Sequence, residues 1–172
     1  MPECWGKRER YGRQRMSERP LSGGRVMPGV VRVGETVRRP RGENWRFVRA
    51  LLTHLRERGF EGAPTSLGSD EQGREIFSFL PGQVPEDLYP SLPDETLAAA
   101  AWLIRRFHDA TAGTRISHGH ETVCHGDLSP CNFIFRDGGP IGMIDFDAAV
   151  PGTRLPSRAR LFRPVAALPG WG

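Results

Sequence analysis

Asp127, Asn132 and Asp145 stand at close intervals in VCHGDLSPCNFIFRDGGPIGMIDFD, residues 123–147, around a short apolar segment. Two Asp and one Asn offer hard oxygen donors. Such donors suit Mg²⁺, which takes one or two carboxylates and completes its shell with water and substrate phosphates. Whether they converge depends on the intervening chain. Phe133-Ile134-Phe135 reads as a strand, Arg136-Asp137-Gly138-Gly139 is rich in hairpin-turn residues, and Ile141-Gly142-Met143-Ile144 is the return strand. A two-residue loop at Gly138-Gly139 pairs Asn132 with Asp145, and paired residues have Cβ atoms about 4.5–5.5 Å apart. A loop at Asp137-Gly138 slides Asp145 by two positions and keeps it adjacent. Either register brings the amide and the carboxylate to the open end of one hairpin, within reach of a shared divalent cation. Asp127, on the other side of a loop containing Pro130, faces the same opening. A carboxylate there can accept the proton of a hydroxyl as that oxygen attacks phosphorus. The chemistry that fits is phosphoryl transfer. The plainer alternative is that Asp and Asn collect here to cap turns. Asp147 reads as a turn residue or as a group approaching a second metal.

The elements that must position these residues are legible upstream. Val30-Val31-Arg32-Val33 and Thr36-Val37-Arg38-Arg39 form a strand pair about a Gly34-Glu35 turn, ended by Pro40. Asn44 reads as the cap of a helix over 44–58, with Trp45, Val48, Leu51, Leu52 and Leu55 at helical spacing and Gly59 at the stop. GAPTSLGSDEQGREIFSFLPG predicts loop, strand, turn and strand, the second strand running 75–80 to Pro81-Gly82. A Pro-rich linker, VPEDLYPSLP, precedes a second helix from about Asp94, its apolar face drawn by Leu97, Ala101, Ile104 and Phe107. Strands, helix, strands, linker, helix, loop and hairpin make an α+β order.

Composition narrows the class. At 172 residues and 38% hydrophobic content, the chain can bury one core or two small lobes. No apolar run approaches a membrane span, and MPECWGKRERYGRQRMSERP lacks the apolar core of a secretory signal, so a cytoplasmic setting is expected. Cys4, Cys124 and Cys131 form no CxxC pair and read as free thiols. Charge is uneven: residues 1–25 hold seven basic and three acidic residues, 26–150 thirteen and seventeen, and 151–172 four Arg and no acid. The middle is thus mildly acidic between basic tails, which read as solvated arms rather than as nucleic-acid grips. Only Trp5 and Tyr11 interleave the first basic stretch, with no recognised nucleic-acid fold.

HGDLSPCN followed by IDFD resembles the catalytic core of the aminoglycoside phosphotransferase family, a branch of the protein-kinase-like fold that includes choline kinases. On that resemblance Asp127 matches the catalytic base, Asn132 and Asp145 the metal ligands, and His125 the residue that buttresses the loop. The resemblance implies an α+β, protein-kinase-like architecture. A small sheet-rich N-terminal lobe is expected over 21–84 and a partial helical C-terminal lobe over 85–153, between a disordered basic tail at 1–20 and an irregular one at 154–172. Mg²⁺, ATP or GTP as phosphate donor, and a hydroxylated small-molecule acceptor are implied with it. Gly23-Gly24 falls where a nucleotide-covering turn belongs. Phe79 lies in IFSFLPG, which resembles the connection between lobes where backbone groups meet the adenine. His108, in RRFHDAT, is expected to pack rather than react.

The chain also departs from the family. Kinases hold the nucleotide phosphates with a Lys on the third strand, paired to a Glu on the next helix. Here the sole lysine is Lys7, Arg38 or Arg39 stands at that position, and the only acid of the 44–58 helix is Glu57 in its last turn. Arg binds phosphate through a planar fork and is not a simple replacement, so a non-standard clamp is expected. Past Arg154 the resemblance stops, and Pro156, Pro164 and Pro169 interrupt any helix. That pattern reads as truncation or a shifted reading frame. It predicts a poorly packed tail, an incomplete acceptor site, weak or absent activity, and an exposed apolar face on the second helix. Two rival readings stand beside this one. One is a kinase-like fragment that binds nucleotide or a partner without turnover. The other is a transition-metal site from His118, His120, Cys124, His125 and Asp127.

Overall fold

Val-rich strands around small turns build the first layer. The computed structural model describes residues 17–21, 28–85 and 91–154. Gly23-Gly24 and the chain beyond Arg154 lie outside them. Strand β1 (Arg19–Pro20) falls at the end of the expected basic tail and pairs with β2 (Val31–Val33), which pairs in turn with β3 (Thr36–Arg39). The β2–β3 turn closes at Gly34, whose φ of 59° a side chain would resist. With β4 (Ser66–Ser69) and β5 (Glu75–Ser78) these strands form one antiparallel sheet in the order β1-β2-β3-β5-β4. The β5 strand stops two residues short of its expected end at Leu80, although the Phe79 N–H still continues the β3 pairing by donating to the Glu35 carbonyl at 2.9 Å.

Helix α1 (Trp45–Glu57) buries Val48, Leu51, Leu52 and Leu55, four of the five positions its spacing marks, while Trp45 stays half-exposed under the guanidinium groups of Arg41, Arg46 and Arg49. Asn44 makes no side-chain cap. Its amide instead donates to the carbonyls of Asp147 at 3.2 Å and Ala149 at 2.9 Å, more than a hundred residues away. A residue type suited to capping is here spent on a long-range tie.

Helix α2 (Asp94–Thr111) spans the expected residues but presents a rotated face. Thr96, Ala100, Leu103, Ile104, Phe107, His108 and Thr111 are buried, whereas Ala101 is exposed and Leu97 half-buried. The physical reason is that this face is partly polar and its polar atoms find partners. The Thr96 hydroxyl donates to the Gly138 carbonyl at 3.2 Å, and Thr111 and Thr122 hydroxyls meet at 2.7 Å. Thr122 also donates to the carbonyl of His108 at 2.8 Å. Hydropathy alone hides such a face. His108 is buried beside Phe107, and burial holds its imidazole below the ordinary pKa. Trp102 points outward, 64% exposed.

The second layer is made of two short ribbons, β6 (Thr122–Cys124) with β9 (Val150–Gly152), and β7 (Phe133–Arg136) with β8 (Gly139–Met143). One core joins everything: Leu51 and Leu55 of α1, Phe77 of β5, Phe107 of α2, and Phe133 and Met143 of the hairpin belong to the same buried cluster. Backbone bonds seal the junction, Met143 N–H to Gly62 O at 2.8 Å and a reciprocal Gln83–Phe135 pair at 2.8 Å. A mixed α/β chain with a five-stranded antiparallel sheet and two helices is compatible with a kinase-like fold.

Candidate active site

The hairpin decides the site. Its turn is Asp137-Gly138, with φ of 51° and 80°, the doubly left-handed geometry that Asp-Gly favours. Arg136 opposes Gly139, but an irregularity between Ile134 and Phe135 shifts the register, so Phe133 opposes Met143. Continuing inward, the Ile144 N–H donates to the Asn132 carbonyl at 2.9 Å. Neither anticipated register therefore holds across the whole hairpin. Asn132 faces Ile144, and Asp145 follows one residue on with φ 64°, a left-handed turn that re-aims its side chain. Asp145 and Asn132 line one cleft.

Asn132 closes a short 3₁₀ turn, Pro130–Asn132, and is buried. Its amide nitrogen donates twice to Asp127, to the backbone carbonyl at 2.8 Å and to Oδ2 at 3.1 Å. One side chain thus fixes both the loop and the exposed carboxylate at its tip. Beneath the loop, His125 is 1% exposed and packs on Phe146 at 4.5 Å between centroids. Its Nε2 lies 3.0 Å from the Ile144 carbonyl, and since a carbonyl only accepts, the proton sits on Nε2. Burial pulls its pKa down to about 4, against the weaker opposing pull of that hydrogen bond and of Asp127, so the ring is neutral near pH 7. At Gly126, φ 84°, an added Cβ would run into the Ala148 carbonyl. Only glycine lets the Asp127 loop and the 145–149 segment cross this closely.

The cleft, about 760 Å³, opens between the sheet and the hairpin, within the range that holds a small-molecule ligand. Val30, Val37, Phe79, Ile134 and Ile144 make apolar walls, and Arg39, Asn132 and Asp145 bring polar groups to the lining. Arg32 stacks on Phe79, 3.7 Å from its ring centre. Of the two candidate arginines, Arg39 lines the cleft. Arg38 points elsewhere, 2.8 Å from the Thr36 hydroxyl and 3.9 Å from Asp70.

Arg39 reaches Asp145 Oδ1 at 3.2 Å and also the Oδ2 of Asp147. Burial raises the Asp145 carboxyl above its ordinary pKa. Arg39 opposes this, and the negative charges of Asp147 and Asp127 add to it. Asp147 Oδ1 is buried without a hydrogen-bond partner. Glu75, 2% exposed, accepts from Arg41 at 2.8 Å, from Arg49 at 2.9 Å and from Ser69 at 3.0 Å. Its burial would raise its pKa, but these bonds hold it below the ordinary carboxylate range. Strand β5 therefore carries the acid and helix α1 the cation. Sequence reading saw Asp147 only as a turn residue or a second-metal group, and it missed the roles of Asn44, Glu75 and Arg49. Asp147 was visible two residues past Asp145. Asn44 looked like a cap, and the Glu75–Arg49 pair had no local signal because its members lie 26 residues apart.

His118 and His120 are exposed while His125 is buried, and among the described residues no group of three or more His, Cys, Asp or Glu side chains gathers to hold a metal ion. Cys124 and Cys131 are free thiols, and no described helix is long and apolar enough to cross a membrane.

Comparison with known proteins bears on the same residues. The APH phosphotransferase enzyme family matches residues 110–155, the stretch holding Asp127, Asn132, Asp145 and Asp147. The trifolitoxin immunity protein of Rhizobium leguminosarum bv. trifolii is 35% identical over 146 residues, covering 75% of this chain and 54% of that protein. The chain thus spans about half the length of this curated relative.

Proposed function

We propose, from the premise that residues 110–155 are a segment of the phosphotransferase enzyme family, that the cleft binds a nucleotide and directs its γ-phosphate to a hydroxyl on a small-molecule acceptor. The observation that carries this reading is the Asn132 side chain, bonded to Asp127 on a residue that lines the same cleft as Asp145 and Arg39. In the reaction the acceptor oxygen forms a bond to phosphorus, the bond from phosphorus to the diphosphate oxygen breaks, and the hydroxyl proton passes to the Asp127 carboxylate. Asn132 orients that carboxylate. The apolar walls Val37, Ile134 and Ile144 suit a flat base, and Phe79 lies where the chain leaves the sheet.

The residues present fit Mg²⁺. Asn132 and Asp145 are hard oxygen donors, and burial makes the Asp145 charge costly unless a cation stands beside it. They would hold the ion, which when bound neutralises charge on the phosphates, with substrate oxygens and water completing its shell. Arg39 brings a guanidinium to the cleft where kinases use lysine, with its terminal nitrogens held by Asp145 and Asp147.

Incubating the purified chain with Mg²⁺, ATP or GTP, and a panel of hydroxylated amines, sugars and toxins tests the reading by product mass. The similarity to a trifolitoxin immunity protein of Rhizobium is the reason for including toxins. A mass increase of one phosphate is expected on at least one acceptor, with weak turnover. A second reading, nucleotide or partner binding without turnover, is supported by the non-standard clamp, in which Arg39 is already engaged by two carboxylates. Nucleotide binding with no transfer to any acceptor would select it.

A further inference from the structure

The clamp of this cleft has its charges rearranged. Arg39 and Glu75 are direct cross-strand partners on β3 and β5. Glu75 would be the natural acid for Arg39, yet Arg41, Arg49 and Ser69 occupy both of its oxygens. Helix α1 has no acid in its first turn to substitute. Arg39 turns instead to the 145–147 segment, where its two terminal nitrogens divide between Asp145 and Asp147.

Asp147 is built to stay there. Asn44, at the start of α1, donates to the Asp147 carbonyl and to that of Ala149. Gly42 leaves just the room the carboxylate needs, since a Cβ at that position would lie 3.0 Å from Asp147 Oδ2. Asp147 Oδ1 has no partner among the described residues, so its ion pair with Arg39 is the contact that compensates its charge.

We propose that Asp147 is a positioning residue: it holds the Arg39 guanidinium to one side of Asp145, leaving Asp145 an oxygen for a divalent cation. Helix α1, which in kinases supplies a glutamate to the strand cation, here acts one step removed, through Asn44 and the backbone of Asp147. The inference rests on the proposed cation site at Asn132 and Asp145. Without Asp147, Arg39 would move wholly onto Asp145 and compete with the ion.

Mn²⁺ is a hard cation whose binding is read by water-proton relaxation, without turnover. The 172-residue chain is titrated with Mn²⁺ as wild type, Asp147→Asn, Arg39→Ala and the double variant. Asp147→Asn should weaken Mn²⁺ binding by about fivefold or more, and Arg39→Ala should improve it by about fivefold more in that background than in wild type. Equal gains from Arg39→Ala in both backgrounds would mean the two residues act independently and would overturn the proposal. A loss that Arg39→Ala does not recover would make Asp147 a ligand of the ion, which also overturns it. Should Asp147→Asn fail to fold, Asn44→Ala frees the Asp147 backbone with every charge in place. Weaker Mn²⁺ binding, recovered by Arg39→Ala, supports the proposal there, and unchanged binding overturns it. Wild type that takes up no Mn²⁺ at millimolar concentration would remove the cation site itself, a different failure from loss of coupling between Asp147 and Arg39.

Discussion

At the scale of single residues, Asp127 and His125 differ by environment more than by distance in sequence. Asp127 is exposed and held by the Asn132 amide at 3.1 Å, the state a proton acceptor needs. Asp127→Asn should reduce phosphate transfer by about 10²–10⁴-fold, the usual worth of a positioned general base, while leaving the melting temperature near wild type. Turnover equal to wild type in that variant would remove Asp127 from the mechanism. His125 is the opposite case, neutral and enclosed, with its pKa lowered to about 4 from an ordinary 6.5. As pH falls from about 6.5 toward 4 the unfolded chain gains a proton that the folded chain refuses, so stability declines through that window. The loss approaches about 3 kcal/mol at the acid end. Urea midpoints measured at pH 7 and pH 4.5 should separate more for wild type than for His125→Gln.

At the scale of elements, α1 matters for what it buries and for what it holds. Leu51 is fully buried in the shared core, and Leu51→Ala should cost about 2–5 kcal/mol of stability, measured by denaturant unfolding. On α2 the outward Trp102 carries no such burden. Trp102→Gln should change stability by less than about 0.5 kcal/mol and reduce concentration-dependent light scattering. A large destabilisation there would show that the face is covered.

At the scale of the whole molecule, the cleft has walls from both layers, Val37 from β3 and Ile134 from β7 among them, so a ligand binds the folded state alone. Magnesium and ATP or GTP at a hundred times the dissociation constant should then stabilise the chain by about 2.7 kcal/mol, visible as a rise in melting temperature. An unmoved melting curve at millimolar nucleotide would count against the nucleotide reading of the cleft.

The local patterns were legible from residue order because short-range physics sets them. The 3.6 spacing of Val48, Leu51, Leu52 and Leu55 marks one face of a helix, and the Gly34 turn separates two Val-bearing strands, while the hairpin turn was narrowed to two loops, of which Asp137-Gly138 is the one formed. The HGDLSPCN and IDFD spacing likewise placed Asn132 and Asp145 at one end of one hairpin, since at most a bulge separates them in register. What packs against each element was not written locally. Threonines on α2 became interior because β6 and the hairpin turn offered partners, and Asn44 left its capping role because two carbonyls came within its reach. The choice of Arg39 over Arg38 followed from strand alternation together with which sheet face the hairpin covers. The pairing of Arg39 with Asp147 required a third event, the capture of Glu75 by Arg41 and Arg49. Tertiary structure alone decided these, because a charge goes to whichever partner folding brings close in a dry place, and sequence distance carries no information about that.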